Sequence, residues 1–299
     1  MLGRELADPS DDRISRQHAR LQTQRDQLMI TDLGSRNGTF INGTALIAPR
    51  ALESPTVVRT GRTIFVVVRD VRPYEHVPLA RRDDLVVGGT LDRTCRAVDL
   101  AAIEAEHTTL VGPRSVTRVL ARGYAAALEG GIAIFDQVAT SSFELAVKDV
   151  SSVRTILLEL VSPLTVRDVE LIAEWLETDV RFVTTVRFRA EVGWLAPAIA
   201  PRLTQRLIEI PMCRFDELPT TLHEIVKAAQ PTATIHADVI EYALVTAQTL
   251  AEDTLLARFR EGVERWRTGG RSTLRGDDLA DLDHNMNWCF HGEWPPRRR

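Results

Sequence analysis

The residues best suited to binding an anion lie in three polar clusters near the start of the chain. These are Gly3-Arg4-Glu5, Ser15-Arg16-Gln17-His18-Ala19-Arg20-Leu21 and Asp32-Leu33-Gly34-Ser35-Arg36-Asn37-Gly38-Thr39. Arginine forks and hydroxyl donors together can hold a phosphate group. The candidate phosphate-binding residues are Arg4, Ser15, Arg16, Ser35, Arg36 and Asn37.

Short apolar runs, such as Leu28-Met29-Ile30 and Phe40-Ile41, separate the clusters. This alternation is typical of strands joined by functional loops, because Gly, Asn, Asp and Ser favour turns. On their own, Asn37-Gly38 and Asn42-Gly43 would predict only hairpin turns. His18 is interpreted as a structural residue, since a lone His in a strand-rich core more often satisfies a hydrogen bond than catalyses. Further β-rich runs are Val57-Val58 and Ile64-Phe65-Val66-Val67-Val68.

In their order and spacing, the three clusters resemble the motifs of the forkhead-associated (FHA) domain. That family is a β-sandwich that reads phosphothreonine in partner proteins. The resemblance implies that Arg4 and Ser15 bind the phosphate and that Asn37 binds the peptide backbone beside it. Arg16 and Ser35 would then be supporting contacts.

The start of the sequence leaves two interpretations of this sandwich open. Family members usually have one or two strands before the Gly-Arg pair, whereas here only Met1 and Leu2 precede Gly3. Either translation begins further upstream, or the sandwich lacks its first strands and a pairing that normally protects a sheet edge.

The composition limits the function classes. A chain of 299 residues with 44% hydrophobic content can form two or three compact units. No apolar run is long enough to cross a bilayer and no signal peptide is evident, so we expect a cytoplasmic protein without a membrane partner. The net charge of -4 gives no general attraction to nucleic acid.

Cys95, Cys213 and Cys289 form no CxxC pair, which predicts reduced thiols. Lys148 and Lys227 are the only lysines, a bias that indicates a GC-rich bacterial genome.

A second unit is predicted from Leu85 onward. An amphipathic helix would place Cys95, Val98, Ala102 and Ile103 on one face. Buried strands are predicted at 108–111, 132–137 and 180–186, with helices between them that include 156–160 and 169–176. Alternating strands and helices predict a parallel α/β sheet.

This order resembles the AAA+ domain of sigma-54-dependent transcriptional activators over roughly residues 85–280. Gly112 stands where the family has its phosphate loop, and Gly130-Gly131-Ile132-Ala133-Ile134-Phe135-Asp136-Gln137 resembles its Walker B segment. Residues 181–186 resemble the sensor strand, and Arg206 one of the arginine-finger positions. The vestigial nucleotide site that the resemblance implies consists of Gly112, Arg118, Asp136 and Arg206.

The departures from this family affect the chemistry directly. A phosphate loop needs a second Gly, a Lys and a Ser or Thr. The corresponding positions hold Thr117, Arg118 and Val119. Gln137 stands where an acid should activate water, and an amide cannot act as a base. We therefore expect no ATP turnover, no catalytic residue and no cofactor; passive binding of a nucleotide phosphate by Arg118 is the alternative.

The last part of the sequence predicts a helical lid with a break at Pro231 and one continuous helical stretch over 239–266. A C-terminal helix-turn-helix, and so a direct DNA-binding motif, is not found in the sequence given. The final residues include His284, Cys289, His291 and Glu293, whose spacing matches no closed zinc site, so we expect no metal.

These patterns together predict a multi-domain chain: an all-β FHA-like sandwich at 1–70, a linker at 71–84, a degenerate AAA+ α/β core at 85–215, a helical lid at 216–283 and a tail at 284–299. The predicted function is a non-enzymatic signalling or regulatory protein that binds a phosphothreonine-containing protein. Its AAA+ part would be an interaction platform. The alternative is a sigma-54-dependent transcriptional regulator acting with ATP, alone or in mixed rings with active paralogues, with transcription machinery among its partners.

Overall fold

The computed structural model of the chain describes residues 1–5, 11–75, 77–140, 142–148, 152–211 and 214–279. Packing divides the chain into two compact units. One combines residues 1–75 with 215–299, and the other comprises residues 76–214. The domain boundaries given above stay predictions.

The N-terminal part of the first unit is a sandwich of two antiparallel sheets, with strand orders β1-β2-β5 and β4-β3-β6-β7. Leu2 adds an isolated bridge to Ala19 at the start of β1. The predicted apolar runs lie in β2, β3, β6 and β7, as expected from their β-rich composition. The strands are β1 (Ala19–Gln24), β2 (Gln27–Asp32), β3 (Thr39–Ile41), β4 (Thr44–Ala45), β5 (Arg50–Leu52), β6 (Thr56–Thr60) and β7 (Thr63–Val67).

The turn between β3 and β4 is formed by Asn42 and Gly43, whose φ angles are 48° and 80°. Both lie in the left-handed region that a tight hairpin requires and that Asn-Gly tolerates best. The predicted Asn-Gly hairpin is therefore confirmed. The Oδ1 of Asn42 also accepts the amide of Val57, which fixes the turn against β6.

The second unit is an α/β structure whose elements alternate along the chain. They are β8 (Ala80–Arg82), β9 (Leu85–Val87), α1 (Gly89–Ile103), β10 (Thr108–Val111), α2 (Arg114–Ala127), β11 (Gly131–Asp136), α3 (Phe143–Val147), β12 (Val153–Glu159), α4 (Val166–Leu176), β13 (Arg181–Val186), α5 (Ala200–Leu203) and β14 (Arg206–Glu209). Five parallel strands form the central sheet in the order β11-β12-β13-β10-β14. The helices α1 and α2 pack with buried side chains such as Leu110 and Leu157. The opposite layer contains Phe135, Phe143 and Phe182.

Two predictions for this unit are wrong. The stretch 156–160, predicted as helix, lies mostly in the inner strand β12, where Ile156, Leu157 and Leu158 are all fully buried. A strand covered on both faces is continuously apolar, so it has no alternation that would distinguish it from a buried helix. Ile103, predicted on the buried face of α1, is 80% exposed at the last turn of that helix.

The C-terminal segment returns to the first unit. Its elements are α6 (Leu218–Ala229), β15 (Thr234–Ile235), α7 (Ala237–Thr246), α8 (Glu252–Thr268) and β16 (Thr273–Leu274). The prediction of continuous helix over 239–266 is wrong, because the chain leaves the helical conformation between α7 and α8.

The C-terminal helices α6, α7 and α8 share a hydrophobic core with Val57, Ile64 and Val66 of the sandwich. Neighbouring strand residues Val58 and Phe65 face the other core, inside the sandwich. The two faces of the β6-β7 pair thus serve two different cores.

Candidate functional site

Gly3 and Arg4, of the first predicted cluster, lie against the loop that contains Ile14 and Arg16. A Cβ atom on Gly3 would stand 2.1 Å from the carbonyl oxygen of Arg16, so only glycine fits at this position. Backbone hydrogen bonds between Leu2 and Ala19 hold the segment beside the start of β1. Arg4 donates from Nη2 to the carbonyl oxygen of Ile14 at 3.3 Å. The first two clusters are therefore adjacent.

His18 connects the second and third clusters. Its side chain is fully buried, Nδ1 accepts the amide of Ser15 at 3.0 Å, and Nε2 lies 3.0 Å from the carbonyl oxygen of Gly38. An imidazole that accepts at one nitrogen and donates at the other satisfies both backbone groups at once. The predicted structural role of His18 matches these contacts.

Asp32 organises the third cluster from within. Its Oδ1 accepts the amides of Gly34 and Ser35, each at 2.9 Å, and its Oδ2 accepts the hydroxyls of Ser35 at 2.7 Å and Thr39 at 2.6 Å. Burial raises the pKa of Asp32, but the hydrogen bonds from Thr39, Ser35 and Gly34 outweigh it and leave that pKa below its ordinary value. The carboxylate therefore stays charged and keeps the loop closed.

Asp11 and Arg13 are part of the site, although the sequence patterns did not indicate them. Asp11 is 3% exposed and accepts the amides of Arg13 and Arg62 and the hydroxyl of Thr63. It thereby ties the loop before Ser15 to the turn between β6 and β7. Burial raises the pKa of Asp11, but these hydrogen bonds outweigh that effect and leave the pKa below its ordinary value. No local signal could have found this tie, because its partners are 51 and 52 residues away.

The six predicted phosphate-binding residues are brought onto one set of interlocked loops. The amide nitrogen of the Asn37 side chain donates to the carbonyl oxygen of Arg13 at 2.6 Å, and the amide of Arg36 lies 3.4 Å from Ser15 Oγ. The Ser35 hydroxyl is committed to Asp32, so its role is to shape the loop. The side chains that remain exposed are Arg4, Arg16, Arg36 and Asn37, with Ser15 half-buried among them.

The electrostatics of these loops favour an anion. Arg4, Arg13, Arg16 and Arg36 are all exposed, and none forms an ion pair within the part of the chain that the structure describes. Guanidinium groups without a carboxylate partner can form forked hydrogen bonds with an incoming phosphate. A hydroxyl donor, Ser15, lies among them.

The second unit presents a different arrangement where its sequence resembles a phosphate loop. Only Gly112 and Pro113 separate the end of β10 from the start of α2. The amides of Val116 and Thr117 already donate to the carbonyl oxygen of Pro113, within the first helical turn. A phosphate loop instead needs free backbone N–H groups that surround the phosphates.

Arg118, at the position of the phosphate-loop lysine, is held by two carboxylates. Its Nε donates to Glu159 Oε1 at 2.6 Å, and its Nη2 contacts Glu159 Oε2 and lies 3.0 Å from Asp136 Oδ2. Arg114 Nη2 bridges the same acids, at 2.6 Å from Asp136 and 2.7 Å from Glu159. Two guanidinium groups and two carboxylates thus neutralise each other at the carboxyl ends of β11 and β12. We call Arg114, Arg118, Asp136 and Glu159 the ion cluster.

The residues predicted for one vestigial nucleotide site do not all lie together. Asp136 is on β11, an edge strand separated from β10 by β12 and β13. Arg206 pairs in register with Thr108, the first residue of β10, whereas Gly112 follows the last residue of that strand. Arg206 is therefore at the opposite end of the sheet, where it binds Glu104 and Glu106. The sequence missed Glu159, although an acid directly after the apolar run 156–158 was an available signal.

Gly112 and Gln137, two further positions of the family motifs, have structural roles. A Cβ atom on Gly112 would lie 2.7 Å from Ile210 Cβ, so the glycine permits close packing of the adjacent strand end. Gln137 Oε1 accepts the amides of Val161 at 2.8 Å and Ser162 at 3.0 Å. Its amide group thus fixes the loop after β12.

Comparison with known families agrees with the N-terminal geometry. The family model of the FHA domain matches residues 4–64. The N-terminal sandwich is an FHA domain. A solved structure described as a phosphothreonine-dependent FHA domain is 26% identical over 23% of this chain and 73% of its own, with a TM-score of 0.21. The assignment rests on the match of the family model and on the loop geometry. It does not rest on this structural overlap.

The fold of the parallel α/β sheet is similar to that of solved structures of NtrX from Brucella abortus. The ADP complex has 15% identity and a TM-score of 0.51, covering 64% of this chain and 53% of the NtrX chain. The ATP complex has the same identity and TM-score, covering 70% of this chain and 57% of NtrX. The matched part therefore spans little more than half of the NtrX chain. At this identity the similarity establishes the fold only. A search of curated proteins gives no match.

Other site types find no support in the described ranges. No group of three or more His, Cys, Asp or Glu side chains there could hold a metal ion. The predicted tail residues His284, Cys289, His291 and Glu293 lie outside the described residues. Among the described helices of the two units, none has the length and hydrophobicity of a bilayer-crossing segment.

Proposed function

We propose that the chain is a phosphothreonine-dependent protein-binding signalling or regulatory protein. The observation that supports this most strongly is the set of three interlocked FHA loops that present Arg4, Ser15 and Asn37 together. Arg4 and Ser15 bind the phosphate, and Asn37 binds the backbone beside it. Because a phosphothreonine carries about -1.5 to -2 charges at neutral pH, guanidinium groups that form no ion pair among the described residues discriminate it from threonine.

The AAA+ unit, in this proposal, binds proteins and does not hydrolyse ATP. Two features support an inactive site: the helix α2 begins at Arg114 without a phosphate loop before it, and Arg118 is occupied by Glu159 and Asp136. A triphosphate would have to compete with both carboxylates for that guanidinium. The position of the metal-binding hydroxyl holds Val119, which is partly buried against the core.

Binding selection with the full chain tests the proposal. A library of peptides, each in phosphothreonine, phosphoserine and threonine forms, is passed over the immobilised protein, and the selected sequences are titrated by calorimetry. The proposal requires selective retention of phosphothreonine peptides. Equal retention of the threonine forms contradicts it. Titration of the same protein with ATP and ADP, with and without Mg²⁺, and a phosphate-release assay test the second part, for which we expect no turnover.

A further inference from the structure

The FHA loops are connected to a residue far along the chain, Glu241 on helix α7. The Glu241 side chain is 1% exposed and accepts from Arg59 Nε at 2.5 Å. Its other oxygen, Oε1, accepts the amide of Gly43 at 3.0 Å. One carboxylate therefore holds both β6 and the hairpin turn after β3. A buried ion pair is weak evidence of a gain in stability, because an apolar pair of similar size often serves as well.

Arg59 transmits this contact within the sandwich. It lies on β6 with its guanidinium carbon 4.0 Å from the centre of the Phe40 ring. Its Nη1 donates to the carbonyl oxygen of Gly61 at 3.3 Å. The ion pair, the cation–π contact and the hydrogen bond together restrain the Arg59 side chain and connect it to the turn after β6.

The turn after β6 supports the phosphate-binding loop directly. A Cβ atom on Gly61 would lie 3.0 Å from Arg13 C and from Ile14 N, so the turn and the loop are in tight contact. Asp11 joins them further by accepting from Arg62 and Thr63 on one side and from Arg13 on the other. The Arg13 carbonyl oxygen in turn holds Asn37.

From this chain of contacts we propose that Glu241 is a positioning residue for phosphothreonine recognition, acting through Arg59 and the turn at residues 61–63. The C-terminal helical segment then sets the geometry of the FHA loops, and the affinity for a phosphothreonine peptide depends on how that segment is docked. The proposal rests on the proposed function, because it assigns a determinant of the same site.

The test compares Glu241→Gln with Val239→Ala. Val239 is fully buried on the same helix, so its truncation weakens the packing of α7 but leaves the ion pair intact. For Glu241→Gln we expect a phosphothreonine peptide to bind about two- to thirtyfold more weakly. Hydrogen exchange at the amides of Arg13 and Arg62, measured without peptide, should accelerate. Val239→Ala should lower the melting temperature and leave both readouts near wild type. Arg59→Lys keeps a cation opposite Glu241 but loses the guanidinium group that bonds Glu241 and Gly61 at once, so it gives a second measurement if Glu241→Gln does not fold.

The outcomes separate the two proposals. Unchanged affinity and unchanged exchange at Arg13 and Arg62 in Glu241→Gln and Arg59→Lys overturn the positioning role. Equal effects from Val239→Ala also overturn it, because they would show a general loss of stability. If the wild-type protein binds phosphorylated and unphosphorylated peptides equally, the proposed function fails, while the exchange experiment still tests whether Glu241 orders the loop.

Discussion

The side-chain amide of Asn37 donates to the carbonyl oxygen of Arg13 at 2.6 Å, across 24 residues of sequence. This bond fixes the third phosphate-binding loop against the second. This bond uses one of the two N–H groups of the Asn37 amide, so the side chain still offers a ligand its second N–H and its oxygen, which can accept an N–H of a peptide backbone. Recognition in this account therefore depends on the order of the loops as much as on the groups that contact phosphate.

His18→Ala should disrupt both loops at once. The substitution leaves the Ser15 amide and the Gly38 carbonyl without their buried partner. We expect the first unit to lose about 2 to 4 kcal/mol of unfolding free energy, and phosphopeptide binding to weaken in the protein that remains folded. Chemical denaturation followed by circular dichroism measures the first effect. His223→Ala is the control, since among the described residues the His223 ring has its hydrogen bond with Pro219 of its own helix; equal effects of the two variants would contradict the prediction.

Arg118→Ala should destabilise the second unit. Glu159, whose side chain is 3% exposed, would keep only Arg114 as its ionic partner in the ion cluster. Because the Arg118 side chain is itself 37% exposed, solvent reduces the cost, and we expect about 1 to 3 kcal/mol. Thermal unfolding monitors the change. Arg122→Ala, an exposed position on the same helix, should have little effect; a stability equal to wild type in Arg118→Ala would argue against the cluster as a structural element.

Restoring the phosphate-loop residues should not restore hydrolysis. In the triple variant Thr117→Gly, Arg118→Lys, Val119→Thr, the side chains match the pattern, but only Gly112 and Pro113 precede α2. The backbone amides that would surround the phosphates remain inside the helix. A phosphate-release assay with ATP and Mg²⁺ should give the background rate. Turnover above that rate would mean that the residue types, and not the missing loop, had prevented hydrolysis.

The stability of the second unit should fall as the pH drops from about 6.5 to about 4. Burial, reinforced by Arg181 and Arg202, lowers the pKa of His107 from 6.5 to about 4. In the folded protein Nδ1 accepts the amide of Phe182 at 3.1 Å, which requires the neutral ring. The unfolded chain binds a proton at the ordinary pKa of histidine, so between pH 6.5 and pH 4 protonation favours the unfolded state. The stabilisation by neutral His107 is therefore fully present above pH 6.5 and declines towards pH 4, by about 2 to 3 kcal/mol. Denaturation at a series of pH values should show this slope in wild type and a flatter one in His107→Gln. The same slope in both would contradict the assignment.

Local sequence patterns predicted the structural features that depend on residues close together in the chain. The FHA strands followed from β-rich runs between turn residues, and Asn42-Gly43 formed the hairpin that its φ preferences favour. The candidate phosphate-binding residues followed from motif spacing. The buried strand β12 was missed because Ile156, Leu157 and Leu158 show no period that separates strand from helix.

The parts of the site that the sequence did not predict are contacts between residues far apart in the chain. Asp11 binds Arg62 and Thr63, and Glu241 binds Arg59 across 182 residues of sequence. Neither pair leaves a periodic or spaced pattern, because each depends on how sheets and helices pack. Arg206 shows the converse: its residue type fits a nucleotide site, but its register on β14 puts it at the other end of the sheet, beside Glu104 and Glu106.

The affinity of the full chain for a phosphothreonine peptide, measured by calorimetry with wild type, Arg4→Ala and Arg20→Ala, tests the central claim most directly. Arg20 is an exposed arginine on β1 outside the predicted phosphate-binding set. The account predicts that wild type prefers the phosphorylated peptide, that Arg4→Ala weakens its binding about thirtyfold, equivalent to about 2 kcal/mol, and that Arg20→Ala binds like wild type. Equal affinity for the phosphorylated and unphosphorylated peptides, or an Arg4→Ala protein that binds as tightly as wild type, would contradict it.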